Sequence, residues 1–350
     1  MLGLLLALGA RPFVSAAGGT RRRWQIPAEA SRHARCWMAW PARSDVWGKK
    51  LGDVRAVCAR VARAIVRFEP VTMVARPEHA REAAYECGPR VRVAKIDVDD
   101  CWMRDTGPLM AFDQHYDLLG CVLNFNGWGN KQSHNADATV AARICGALNI
   151  SHHDMPFVSE GGAWDFDGEG TALTTESAVL NSNRNPGLSK RDIEAAARDW
   201  FGVEKIIWLS GAADYWTDGH VDGIARFVRP GEVVIETASD PRDPDAPWLA
   251  RDAEALHSAT DARGRRLRVV TMQRPRHVRS NAPEFCNCYV NFYVANGGVI
   301  MARFGDVLTD ERARDLVARL YPDRRVVQVD IDALAAGGGG IHCITLQQPA

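Results

Sequence analysis

Turn glycines recur along this chain at nearly constant intervals. Gly168, Gly231 and Gly297 lie in the segments Phe166-Asp167-Gly168-Glu169-Gly170, Val228-Arg229-Pro230-Gly231-Glu232 and Val294-Ala295-Asn296-Gly297-Gly298, spaced by 63 and 66 residues. A short turn flanked by β-formers reads as a hairpin tip. Helical patterns, with apolar residues at three- and four-residue steps, begin near Leu51, Ala136, Ser189, Trp248 and Thr309. Ser189 and Thr309 carry N-cap signals, Ser189 with Asp192 three residues on. Short β-rich runs follow the helices at 71–74, 150–157, 205–209, 267–270 and 325–329. A supersecondary unit repeated at this period buries its apolar face against its neighbours. The expected fold is α/β: a five-unit pseudo-symmetric α/β propeller of β-β-α-β units, whose closure protects the sheet edges. A doubly wound parallel sheet is disfavoured, because no Gly-x-Gly-x-x-Gly follows the first strand and hairpins outnumber crossovers.

No Pro/Gly/Ser-rich linker separates the units, so residues 24–350 read as one domain. Lys+Arg and Asp+Glu both number 43, for a formal charge of zero. With no basic run beyond Arg21-Arg22-Arg23, the chain has no electrostatic footprint for nucleic acid. No stretch approaches the ~18 apolar residues that span a bilayer, so no membrane partner is expected. The apolar run Leu2–Ala10 and the small residues Val14-Ser15-Ala16 read as a signal segment over residues 1–18, although no Lys or Arg precedes them. Export is therefore the first expectation and a cytoplasmic extension the alternative; mapping the mature N-terminus distinguishes them. The nine cysteines fit neither a regular disulfide framework nor zinc-ligand spacing, and no metal is expected. Cys286-Asn287-Cys288 reads as core strand.

Four glycines precede a cysteine in Gly337-Gly338-Gly339-Gly340-Ile341-His342-Cys343-Ile344-Thr345. Glycine allows the backbone to approach a ligand where any Cβ would clash. A cysteine fixed just after such a loop is a candidate nucleophile. Four acids occupy glycine-containing, loop-like contexts: Asp105, Glu160, Asp218 and Asp222, with His220 midway between the last two. Any one such acid is ordinarily a turn residue bonding its own backbone. Together, at the heads of units in a ring, they converge on its axis. Several carboxylates and a thiol suit a planar cation, because a guanidinium matches carboxylates bidentately and favours a neighbouring thiolate. His220 is then placed for proton transfer, with Glu160 to orient it. Trp102 and Trp128 are candidates to line the access route. His342 is assigned a structural role, on the argument that adjacent strand positions face opposite ways.

The segments WMRDTGP, EGGAWDFDG, TDGHVDGIARF, NxYVNFYVANGGVIM and GGGGIHCIT, with Cys36-Trp37-Met38-Ala39-Trp40-Pro41 near the start, resemble the agmatine deiminase and bacterial peptidylarginine deiminase family of guanidine-modifying enzymes. The likeness runs in order from about residue 24 to the end. It implies the five-unit propeller fold of the pentein superfamily, and Cys343 as nucleophile with His220 and Glu160 as acid/base pair. It also implies Asp105 and Asp222 gripping the guanidinium, Trp102 and Gly340 at the substrate, and no metal or organic cofactor. The implied reaction converts agmatine and water to N-carbamoylputrescine and ammonia, a step of putrescine biosynthesis. Deimination of peptidyl-arginine or free arginine is the runner-up. An amidinotransferase and a non-catalytic cation-binding propeller are the other readings. The family commonly has Asn where Gly340 stands, and an acid where Trp216 stands.

Overall fold

The computed structural model describes residues 24–211, 214 and 216–350, so the signal-segment expectation at 1–18 lies outside the described residues. The strands form five small sheets. Four are built alike: an antiparallel hairpin and then, after a helix, a third strand parallel to the second. In one, Ala225–Arg229 pairs antiparallel with Glu232–Thr237, which pairs parallel with Arg268–Gln273. The hairpins at Gly168, Gly231 and Gly297 all form. This is the five-unit α/β propeller expected from the repeat.

The remaining sheet has the strand order Leu346–Pro349, His33–Ala39, Val71–Ala75, Val91–Lys95. Its antiparallel partner comes from the C-terminus, with His33 opposite Pro349 and Trp37 opposite Leu346. This pairing closes the ring and places the residues just before Leu346 beside the first unit.

Helices lock neighbouring units together. Helix Leu51–Ile65 buries Val54, Val57, Cys58, Val61, Ala62 and Ile65, the stripe expected of a 3.6-residue period. That stripe packs on strands Gly298–Arg303 and Arg325–Asp330 of the unit before it in the ring. Helices Ala246–Ser258 and Val307–Leu320 likewise each touch a strand of the preceding unit. Burial of each such aliphatic side chain contributes roughly 1.5–3 kcal/mol. Ser189 and Asp192 form a full capping box at the start of helix Lys190–Phe201.

The first strands of the units face the axis, where a buried charge cluster joins them. Arg226 pairs with Glu29 (2.7 Å) and Asp165 (3.3 Å) and donates to the Phe292 carbonyl (2.6 Å). Glu29 also accepts from the Val294 N–H (2.9 Å) and pairs with Arg104 (3.3 Å), which donates to Gln347 (2.8 Å). The contributing residues span all five units.

Four local expectations need correction. Helix Val307–Leu320 begins before Thr309, because the Asp306 side chain caps it by accepting from the Thr309 N–H. The run 150–157 yields only the short strand His152–Asp154. Cys286 and Cys288 lie in a loop, with their sulfurs 3.4 Å apart, and not in a core strand. Residues 341–344 form turns, so the alternation argument used for His342 does not apply.

Candidate active site

The glycine run holds Cys343 by close packing. A Cβ built on Gly337 would lie 2.2 Å from Trp47, on Gly338 2.4 Å from Trp216, on Gly339 2.2 Å from Trp102, and on Gly340 2.4 Å from Asn291. Each glycine therefore lets the backbone lie against one side chain. Trp102 is buried, and its ring centroid is 6.0 Å from that of Trp47. Asn291 secures the next turn: its Oδ1 accepts from the His342 N–H (2.9 Å), and its Nδ2 lies 3.3 Å from the Cys343 sulfur. The Gly340 N–H points at the same sulfur from 3.5 Å.

Three further segments bring side chains to this sulfur. Asp222, in the turn Val221–Gly223, has Oδ2 3.7 Å from Cys343 Sγ. Asp105, in the helical turn Met103–Thr106, accepts from the Gly162 N–H (3.0 Å) and the Trp128 indole N–H (2.9 Å). His220 stands with Nδ1 3.7 Å from Asp105 and Nε2 3.1 Å from Glu160. Gly162 marks the convergence: a Cβ there would lie 2.7 Å from His220 Nδ1, 2.8 Å from Asp105 Oδ1 and 3.2 Å from Asp222 Oδ2. Cys343, His220, Glu160, Asp105 and Asp222 are thus brought together, with Gly340 at the sulfur and Trp102 behind Gly339. Asp218, the fourth loop acid, is turned aside and accepts from Lys131 (2.8 Å), Asn183 (3.0 Å) and Arg184 (2.6 Å).

The electrostatics follow from burying three acids together. Burial raises the Asp105 carboxyl, Asp222 and Glu160 raise it further, and it reaches about 6 despite the opposing His220 charge and Trp128 hydrogen bond. Burial opposes the His220 imidazolium, but Asp105, Glu160 and Asp222 outweigh it and raise His220 to about 9. Glu160 is held below the usual carboxylate range against its burial by His220 and Arg184. Burial, then Asp222 and Asp105, push the Cys343 thiol well above its ordinary value, despite Gly340 and Asn291. At neutral pH the free site therefore pairs an imidazolium with a neutral thiol.

Two residues that sequence reasoning missed complete the site. Arg184 Nε lies 2.8 Å from Glu160 Oε1, and its Nη1 lies 2.6 Å from Asp218. It sits in the polar turn Asn181-Ser182-Asn183-Arg184-Asn185, which carries no signal beyond loop. Asn291 left a weak trace as the polar residue inside the apolar run 289–295. Arg184→Met leaves Glu160 buried without its guanidinium and is expected to destabilise the fold by about 3–5 kcal/mol in chemical denaturation. Adding Glu160→Gln is expected to recover part of that loss.

Among the described residues no cluster of three or more His, Cys, Asp or Glu side chains is arranged to hold a metal ion.

The chain belongs to the Porphyromonas-type peptidyl-arginine deiminase family, whose model matches residues 25–349. It is 40% identical over 357 residues to the agmatine deiminase of Stutzerimonas stutzeri, covering 93% of this chain and 96% of that one. The structure of the agmatine deiminase of Enterococcus faecalis superposes with a TM-score of 0.89 at 33% identity, covering 93% of this chain and 96% of that chain. The dimethylarginine dimethylaminohydrolase of Pseudomonas aeruginosa, at 13% identity, shares the fold with a TM-score of 0.51 over 90% of this chain and 99% of that one.

Proposed function

We propose that this protein is a thiol-dependent hydrolase of guanidinium groups, with agmatine as its first substrate. The observation that carries this reading is the convergence of Asp222, Asp105 and His220 around Gly162, with the Cys343 sulfur 3.7 Å from Asp222 Oδ2. Two carboxylates fit a planar cation and offset the cost of burying it. The relatives named agmatine deiminase support agmatine as the substrate.

Asp105 and Asp222 hold the guanidinium plane, and its charge offsets the two acids that raise the Cys343 thiol. The thiol gives up its proton to solvent, and the thiolate formed bonds to the central carbon. The C–N bond to one terminal nitrogen then breaks as His220 supplies the proton, and ammonia leaves. The S-alkylthiouronium that remains is attacked by water, from which His220 takes a proton. The C–S bond breaks as the added hydroxyl gives its proton to the sulfur, restoring the thiol and leaving a ureido product. That product is neutral, so the two aspartates hold it less tightly than they held the substrate.

The pH dependence tests this protonation pattern. Productive free enzyme needs ionised Asp105, imidazolium at His220 and thiolate at Cys343. Loss of the proton from Asp105, at about 6, favours binding as pH rises. The imidazolium–thiolate form is one proton poorer than the dominant imidazolium–thiol form, whose first proton loss is set by His220 at about 9. The kcat/KM for agmatine is therefore expected to climb from neutrality to about pH 9, and more steeply below about pH 6. Initial rates of ammonia release at limiting agmatine check this, and a decline from pH 7 to 9 contradicts it.

The far end of the substrate is the open point. Asp214, near the aligned acid position, already accepts from the Thr217 hydroxyl (2.5 Å) and the Gly219 N–H (2.8 Å), and Trp216 packs on Gly338. Arginine and arginyl peptides are accordingly the second reading. A panel of agmatine, arginine, and internal and C-terminal arginyl peptides, scored for ureido product, decides between them. Preference for agmatine supports the first reading, and turnover of peptide alone overturns it.

A further inference from the structure

We propose that His342 is the positioning residue for Asp222, holding that carboxylate rigidly in place to grip the guanidinium. The proposal rests on the guanidine-hydrolase reading and goes beyond it by giving a role to a histidine that touches no reacting atom in that scheme.

His342 Nδ1 lies 2.7 Å from Asp222 Oδ2, and its Nε2 lies 2.7 Å from Glu29 Oε2. The residue is 1% exposed, so water does not compete for either nitrogen. A carboxylate only accepts hydrogen bonds. Both carboxyl groups are held below their usual range: burial raises each, but Arg226 and His342 outweigh it at Glu29, and His342 leads the groups that outweigh it at Asp222. Each ring nitrogen meets a carboxylate oxygen, so the ring bridges the two acids. An amide side chain could satisfy Asp222 but could not reach both acids at once.

The direction of the bond matters as much as the bridge. His342 and the Cys343 thiol both meet Oδ2 of Asp222, the oxygen that also faces His220 and Asp105 across Gly162, so the bond fixes the oxygen nearest the reacting groups. On its far side His342 is anchored to Glu29, and through it to Arg226, Arg104 and the Val294 N–H. Asp222 is thus tied to the axial charge cluster that joins the units. Its backbone carbonyl is held separately by Asn291 Nδ2 (3.3 Å). His220 is fixed in the same manner on the opposite side, between Asp105 and Glu160, with Arg184 behind. The site is therefore held by two histidines, each wedged between two acids of which the outer one is backed by arginine.

The test separates binding from chemistry. His342→Gln retains a donor to Asp222 but loses the bridge to Glu29, and is expected to raise KM for agmatine about 10- to 100-fold while kcat falls less than about 10-fold. Agmatine affinity measured by calorimetry on the Cys343→Ala background is expected to fall by the same factor when His342→Gln is added. Glu29→Gln keeps His342 but loosens its anchor, and is expected to give a smaller rise in KM. It also serves if His342→Gln fails to fold. An unchanged KM and affinity in folded His342→Gln or Glu29→Gln protein, with only kcat or thermal stability reduced, overturns the proposal. Absence of agmatine binding to Cys343→Ala protein with His342 intact would instead sink the substrate reading.

Discussion

Cys343→Ala is expected to lower ammonia release from agmatine by about 10⁴-fold or more while leaving the fold in place. In the proposed mechanism the thiol forms the covalent bond, and no neighbour substitutes for it. Asp222 and Asp105 already carry fixed positions and partners. Removing the sulfur takes one buried polar atom from a turn that Asn291 and Arg104 still hold through the backbone at residues 342 and 343. Circular dichroism and thermal melting are therefore expected to change little. The variant should still bind agmatine, because the two aspartates are untouched. Retained turnover would remove the thiol from the mechanism.

Gly162→Ala is the second large effect, and it acts by geometry alone. The added methyl would sit 2.7 Å from His220 Nδ1, 2.8 Å from Asp105 Oδ1 and 3.2 Å from Asp222 Oδ2. Contacts under 3.0 Å force a shift, and His220 and Asp105 are both pinned on their far sides, by Glu160 and by Trp128. Displacement of the reacting groups by about 1 Å costs on the order of 10²-fold in rate. The kcat/KM is expected to fall at least that far, with a smaller loss of stability because the same contacts crowd a polar cluster and no apolar cavity opens. Steady-state kinetics beside a denaturation curve separates the two effects. A variant with near-normal kcat/KM would mean that the side chains do not meet at this point during turnover.

Much of this was legible in the sequence because the signals are local. The turns at Gly168, Gly231 and Gly297 announce hairpins through their own residues, and the Ser189–Asp192 capping box lies within one helical turn. The acids at 105, 160 and 222, His220 and Cys343 stood out as polar groups set among glycines in loops, and the resemblance gave them roles. Less was legible where the physics is long-range. Nothing near Leu346 says that this strand pairs with His33–Ala39 across the length of the chain. Arg184 reaches Glu160 only after the third unit folds, and its Asn-rich turn looks like any surface loop. His342 was read from strand alternation, yet it lies in a turn, and its bond to Asp222 depends on two segments 120 residues apart. Cys286 and Cys288 matched a core strand by composition but lie in the loop before Asn291, where backbone pairing and not hydrophobicity decides.

The central claim is a bond from the Cys343 sulfur to the guanidinium carbon. The most direct measurement is acid quench of the wild-type protein during steady turnover of agmatine, followed by peptide mass analysis. The account predicts a fraction of the peptide spanning residue 343 carrying the amidino group and its alkyl chain on sulfur. An unmodified Cys343 peptide at every time point, in protein that is turning over substrate, would contradict it.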